Sequence, residues 1–160
     1  MKTATMTMCI SLCLGAAAMP STNTLEAVKA DWRSGAFTNV FQLAEQRLAA
    51  NAHDIVSRFL LSDWNMAFGT ADSISNCVSE IIVESDLIQV PAYSNLYWRS
   101  RPMFIRYRDE FLPTMTGNVF AVEQQKLREP GKGMPSEYFL EVLSECGMWN
   151  AGGQPEPEEE

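Results

Sequence analysis

The stretches GAFTNVFQLAEQRL (residues 35–48) and GTADSISNCVSEII (residues 69–82) decide the fold of this chain. Each begins with a glycine that ends one helical pattern, and each continues with apolar residues at helical spacing. The two glycines lie 34 positions apart, and the same offset aligns Val40 with Ile74. Because units repeated at a fixed offset stack on one another, the pattern predicts two consecutive αα-hairpins.

Each stretch is preceded by another apolar pattern, so each is predicted to be the second helix of its hairpin. Thr24 and Asp54 are of residue types that cap helix N-termini. They predict where the first helix of each hairpin begins. His53 lies in the predicted turn between the hairpins. The apolar stripes of the first helices are Leu25, Val28 and Trp32, then Phe59, Leu60, Trp64 and Phe68.

The turn Gly35-Ala36-Phe37 and the apolar positions after it resemble the inter-helix turn and second helix of a tetratricopeptide repeat (TPR). Leu61-Ser62 is similar to the close-packing site on that family's first helix, and the offset of 34 residues equals the family's repeat length. The chain departs from the family at Arg47, where alanine is usual, and at Ala52, where proline is usual. The resemblance covers residues 24–84 only.

The resemblance implies stacked hairpins with a concave face that can receive a peptide or protein. A generic helical bundle is the alternative, because any two similar hairpins produce some of these pairings. About three repeats are needed to bury a continuous core, so residues 85–149 are expected to add helices that close the domain. Pro102 suits a first helical turn and predicts that one of these helices begins there. The sequence thus predicts an all-α domain over residues 24–149.

Residues 1–18 predict a signal peptide and therefore export to the periplasm or the extracellular space. Lys2 supplies the positive start, Met8–Leu14 the apolar run, and Ala16-Ala17-Ala18 the small residues of a cleavage site. The run is shorter than the ~20 residues that cross a bilayer, so no membrane span is expected after cleavage. Lipidation at Cys13 is an alternative that the large residue before it disfavours. An ordinary buried helix is the other alternative.

Composition indicates the nature of the two remaining segments, and net charge limits the kinds of partner. Residues 19–23 are predicted to be a polar linker. Residues 150–160 are predicted to be a disordered acidic tail, because glycine, proline and glutamate cannot bury apolar surface. The formal net charge is −8, which disfavours binding to phosphate backbones, so no nucleic-acid partner is expected.

Removal of the signal peptide would leave two cysteines, Cys77 and Cys146. In an oxidising compartment they could form a disulfide. The alternative is that each is a small buried apolar residue, as free cysteines usually are.

The sequence offers no persuasive catalytic or cofactor motif. His53 is the only histidine, no metal-ligand spacing is present, and no nucleotide-binding glycine motif occurs. We therefore expect no catalytic residue, no metal and no cofactor. The alternative is a small secreted enzyme that uses paired carboxylates from among Asp63, Glu80 and Glu110.

A basic and aromatic segment stands out in this acidic chain. Such residues are enriched at the energetic centres of protein interfaces. Alternatively the aromatics are core and the arginines pair with carboxylates. The candidate binding residues are Tyr97, Trp98, Arg99, Arg101, Arg106 and Arg108. The sequence thus predicts an exported, non-catalytic module that binds a protein or peptide through the repeat face or through this segment.

Overall fold

The computed structural model describes residues 24–150, and within them the chain forms seven α-helices and no strand. The helices are α1 (Leu25–Ser34), α2 (Phe37–Ala50), α3 (Ile55–Phe68), α4 (Ala71–Ser85), α5 (Pro91–Arg106), α6 (Gly117–Leu127) and α7 (Glu137–Glu145). A π-helical turn (Tyr107–Phe111) and a 3₁₀ turn (Leu112–Thr114) continue α5.

The predicted all-α class is confirmed, as are two helical hairpins followed by further packing helices. The hairpins are α1 with α2 and α3 with α4, and the seven helices pack against one another in a manner compatible with a helical-repeat fold. The predicted signal peptide (1–18), the linker (19–23) and residues 151–160 of the predicted tail lie outside the described residues.

Local signals account for the hairpin boundaries. The Thr24 side chain accepts a hydrogen bond from the backbone N–H of Ala27 and so caps α1. Gly35 ends α1 in the left-handed region, at φ 86°, which a residue with a Cβ rarely adopts. Thr70 and Ser73 bond to each other's backbone and form a capping box at the start of α4.

The prediction that Pro102 begins a new helix is wrong. Pro102 lies inside α5, which runs without interruption from Pro91 to Arg106. A proline within a helix removes one backbone hydrogen bond. That cost is offset here by burial on the same helix, since Tyr93 and Tyr97 are completely buried while Pro102 lies on the solvent side.

The side chain of Asp54 does not cap α3. It forms a buried ion pair instead, with its Oδ2 2.6 Å from Arg47 Nε and its Oδ1 3.1 Å from Arg47 Nη2. Asp54 is 0% exposed, and the Trp149 ring lies 5.2 Å from the Arg47 guanidinium. Arg47, which stands where the resembled family has alanine, thereby joins the α2–α3 turn to the end of the described chain.

Helix α7 covers the face formed by α1, α3 and α5. The Phe139 ring centroid lies 5.2 Å from those of Phe59 and Phe104, on α3 and α5 respectively. Glu141 accepts a hydrogen bond from Lys29 Nζ at 2.9 Å, which ties α7 to α1 as well. Helix α7 therefore contacts the first helices of both hairpins as well as α5.

Within the described range, no helix combines the length and the apolar character needed to cross a membrane.

Candidate binding site: a groove along α5 and a cavity beneath it

An open groove follows the second half of α5 and the π-helical turn, and its volume is about 620 Å³. We call it the α5 groove. Its apolar wall consists of Met103, Tyr107 and Phe111, spaced four residues apart on one side of the helix. Met103 is 57% exposed and Phe111 is 53% exposed, and contiguous exposed apolar side chains are a mark of interaction sites. The groove is lined by Arg99, Pro102, Met103, Arg106, Tyr107, Glu110, Phe111 and Thr114.

The π-helical turn helps to shape this wall. In a π-helical turn the backbone hydrogen bonds join residues five apart instead of four. Such turns are rare, and many of those known lie at functional sites. Here the turn carries Tyr107 and Phe111, whose rings stack with their centroids 5.6 Å apart. Neither ring is fully buried, so both contribute to the surface of the groove.

Two predicted binding residues, Arg99 and Arg106, line the groove. Arg106 Nε lies 3.3 Å from a carboxylate oxygen of Glu110, so its charge is largely balanced. Arg99 donates only to the backbone carbonyl of Asn95, at 3.3 Å, and none of the described carboxylates pairs with it. The groove therefore carries one uncompensated positive charge at its edge.

The other predicted binding residues lie in structural contacts. Tyr97 is completely buried, and its hydroxyl donates to a carboxylate oxygen of Asp86 at 2.8 Å. Arg101 also contacts Asp86, at 3.3 Å, and its guanidinium lies 5.6 Å from the Trp98 ring. These contacts hold α5 against the end of α4.

Arg108 likewise has partners within the chain. Its Nε lies 2.7 Å from Asp109 and one of its Nη atoms donates to Ser79 at 3.2 Å. The structure therefore brings two of the six predicted residues to the α5 groove.

A second cavity, of about 180 Å³, lies between α3, α4, α5 and the start of α7. We call it the Asp63 cavity. It shares Met103 and Tyr107 with the α5 groove, so the two are adjacent. Its walls are mainly aromatic and aliphatic: Phe59, Met66, Val78, Ile81, Met103, Phe104, Tyr107, Pro135 and Phe139, with Ser62, Asp63 and Ser136 as polar members.

Asp63 is the buried acid of this cavity and is 1% exposed. Its Oδ1 accepts the backbone N–H of Ser136 at 3.2 Å, and its Oδ2 accepts the Ser136 hydroxyl. Burial raises the pKa of Asp63 to about 7, although the bonds from Ser136 oppose the rise. The negative charge of nearby Glu137 raises this pKa further.

We expect Asp63 to make stability depend on pH. Its folded pKa of about 7 lies above the value of 3.8 for an unperturbed carboxyl, so the folded state binds the proton more tightly. The resulting stabilisation is complete below the unfolded pKa and is lost as the pH rises through about 7. Between pH 5 and pH 8 the free energy of unfolding should fall by on the order of 2 kcal/mol on this account.

Urea unfolding of the wild type and of Asp63→Asn across this pH range measures the effect. The variant removes the titrating group and should show a flatter dependence. Equal pH dependence in both proteins would show that Asp63 does not titrate in this window.

The three acids considered for an enzyme do not converge. Glu80 pairs with Arg58 at 2.6 Å on the surface, Glu110 pairs with Arg106, and Asp63 lies in its own cavity. In the described residues no group of histidine, cysteine, aspartate and glutamate side chains is arranged to hold a metal ion.

A disulfide between Cys77 and Cys146 is one of two alternatives that the sequence leaves open, and both are free cysteines in the structure. Cys77 lies on α4, accepts a hydrogen bond from Asn65 Nδ2 at 3.4 Å, and has a pKa raised to about 11 by burial. Cys146 follows α7 and packs against the core. Both are half-buried, in line with the alternative that each is a packed small residue.

Sequence patterns do not reveal the groove, because the helical spacing of Met103 and Phe111 is also that of a buried stripe. The signal that the sequence does offer is the concentration of large apolar and aromatic residues between Tyr97 and Phe111.

No protein-family model matches the chain, and neither a curated protein nor a solved structure is detectably similar to it. What the protein does is therefore inferred from the geometry and chemistry of its own residues.

Proposed function

We propose that this protein is an exported interaction module that binds an acidic, amphipathic segment of another protein in the α5 groove. The observation that carries the proposal is an exposed apolar wall beside Arg99, a cation that none of the described carboxylates neutralises. Apolar side chains of a partner would cover Met103 and Phe111, and an acidic side chain would meet Arg99.

Charge complementarity supports this choice of partner. The chain carries a net charge of −8, so most of its surface repels an acidic segment. A groove with a free guanidinium at its edge is a local exception. Such an arrangement favours association in one register and weakens with salt.

The proposal also concerns the type of helical repeat that the two hairpins represent. We infer that the two hairpins are degenerate TPR-like units and that α5 takes the place of a third first helix. Because α7 covers the face formed by α1, α3 and α5, a partner would bind on the outer side of α5 instead. Export rests on the signal-peptide pattern of residues 1–18.

The test uses displayed random peptides selected on the wild-type protein. We expect selected peptides to be enriched in aspartate or glutamate beside large apolar residues. The affinity of one such peptide, measured by fluorescence anisotropy, should fall about tenfold or more in the double variant Arg99→Ser, Arg106→Ser.

A matched control removes the same amount of charge elsewhere. Arg128→Ser with Lys132→Ser also deletes two exposed positive charges, and neither residue lines the groove. This control should bind the peptide as the wild type does. Equal losses in the two double variants would mean that net charge, and not the α5 groove, governs binding, and the proposal would fail.

A further inference from the structure

Asp63 is a fully buried carboxylate that has no cationic partner among the described residues. The other fully buried carboxylate, Asp54, is paired with Arg47 at 2.6 Å. Taking an unpaired charge out of water is costly, so buried carboxylates are normally paired or protonated. Asp63 differs from Asp54 in having no such cation beside it, and it lies at the wall of a cavity.

The bonds that Asp63 makes leave room for another donor. Within residues 24–150, its hydrogen bonds all come from Ser136, and Oδ1 receives only the backbone N–H, at 3.2 Å. An ionised carboxylate has about four acceptor sites, so further acceptor capacity remains. Glu137, which is also negative, acts on Asp63 and raises its pKa.

The rest of the cavity is suited to a compact apolar body. Apolar cavities of about 150 Å³ hold one benzene ring, and this one measures about 180 Å³. Phe59, Phe104, Tyr107 and Phe139 line it, and aromatic faces attract both rings and cations. Met103 lines the cavity and is 57% exposed, which places the entrance at a flexible side chain.

We propose that the Asp63 cavity binds a small amine whose apolar body is about the size of one aromatic ring. The ring packs against Phe59, Phe104 and Phe139, and the ammonium group donates to the Asp63 carboxylate. This site differs from the α5 groove in its charge, since it selects a cation where the groove selects an acidic segment. It does not depend on peptide binding by the groove.

Three probes of nearly equal size test this chemistry: 2-phenylethylamine, ethylbenzene and phenylacetate. Methyl NMR of the full chain with labelled methionine reports binding, because Met66 and Met103 line the cavity. We expect saturable shifts of both methyl signals with the amine. Its affinity should exceed that of ethylbenzene by about tenfold or more, because charge-assisted hydrogen bonds are the strong ones. Phenylacetate should cause no saturable shift.

Two variants locate the binding. Asp63→Asn keeps the shape of the side chain and should bring the amine's affinity down to that of ethylbenzene. Met103→Trp changes an exposed residue at the entrance, so folding is preserved, and it should weaken binding of both the amine and ethylbenzene.

The results that would overturn the proposal are equally defined. Phenylacetate binding as tightly as the amine, amine affinity unchanged by Met103→Trp, or the absence of saturable shifts in the folded wild type would each do so. Loss of peptide binding in the Arg99 and Arg106 variant, with amine binding retained, would concern the groove alone.

Discussion

Replacing Asp54 with alanine should lower the free energy of unfolding by roughly 3–5 kcal/mol, because it breaks a buried ion pair. Asp54 is 0% exposed and Arg47 is 8% exposed. The ion pair has two close contacts, at 2.6 and 3.1 Å, and the hydroxyl of Ser57 donates to the same carboxylate. Water cannot replace these bonds at a site from which it is excluded. Urea unfolding at pH 7, followed by circular dichroism, measures the loss.

Glu80→Ala is the matched control. It breaks the pair of Glu80 with Arg58, whose contact distance is also 2.6 Å, but the Glu80 side chain is 50% exposed. Water solvates the Glu80 carboxylate, and Arg58 keeps its hydrogen bond to the Ala52 carbonyl, so the loss should be less than about 1 kcal/mol. Similar losses for Asp54→Ala and Glu80→Ala would mean that burial does not set the strength of the first pair.

Replacing Trp32 with alanine should also cost roughly 3–5 kcal/mol, since it leaves a large cavity in the main core. Trp32 is 1% exposed and meets the Phe37 ring edge-on at 4.9 Å between centroids, across the turn of the first hairpin. Thermal and urea unfolding of Trp32→Ala test this expectation.

Trp98→Ala provides the comparison with the same chemical change. Trp98 is 57% exposed and contacts mainly Tyr97 and Arg101. Its replacement should alter the free energy of unfolding by no more than about 1 kcal/mol. If Trp98→Ala proved as destabilising as Trp32→Ala, the burial of α1 against its neighbours would be incorrectly described.

The two hairpins could be predicted from sequence because their signals are local. A cap such as Thr24, a break such as Gly35 and an apolar stripe each act within a few residues, and each predicted the correct helix. Pro102 shows the limit of this reasoning. Its local preference favours a helix start, yet burial of Tyr93 and Tyr97 on the same helix keeps α5 continuous.

The candidate sites depend on contacts between residues that are far apart along the chain, and local sequence patterns do not predict such contacts. Asp63 and Ser136 are 73 positions apart, and only their meeting makes Asp63 a buried acid at the wall of a cavity. Tyr97 and Arg99 both belong to the basic and aromatic segment. They are two residues apart on α5 and so point in different directions. Tyr97 lies in the core, and Arg99 lies at the edge of the α5 groove.

The sequence by itself determined the all-α class, the boundaries of α1 to α4 and the acidic balance of the chain, because caps, periodicity and composition act without reference to distant residues. Only the tertiary structure decided that α7 covers the face formed by α1, α3 and α5, and that Cys77 and Cys146 are free cysteines. It also decided that Arg101 pairs with Asp86 while Arg99 pairs with none of the described carboxylates. Each of these depends on which helix faces meet, and helix packing brings together residues that are far apart along the chain.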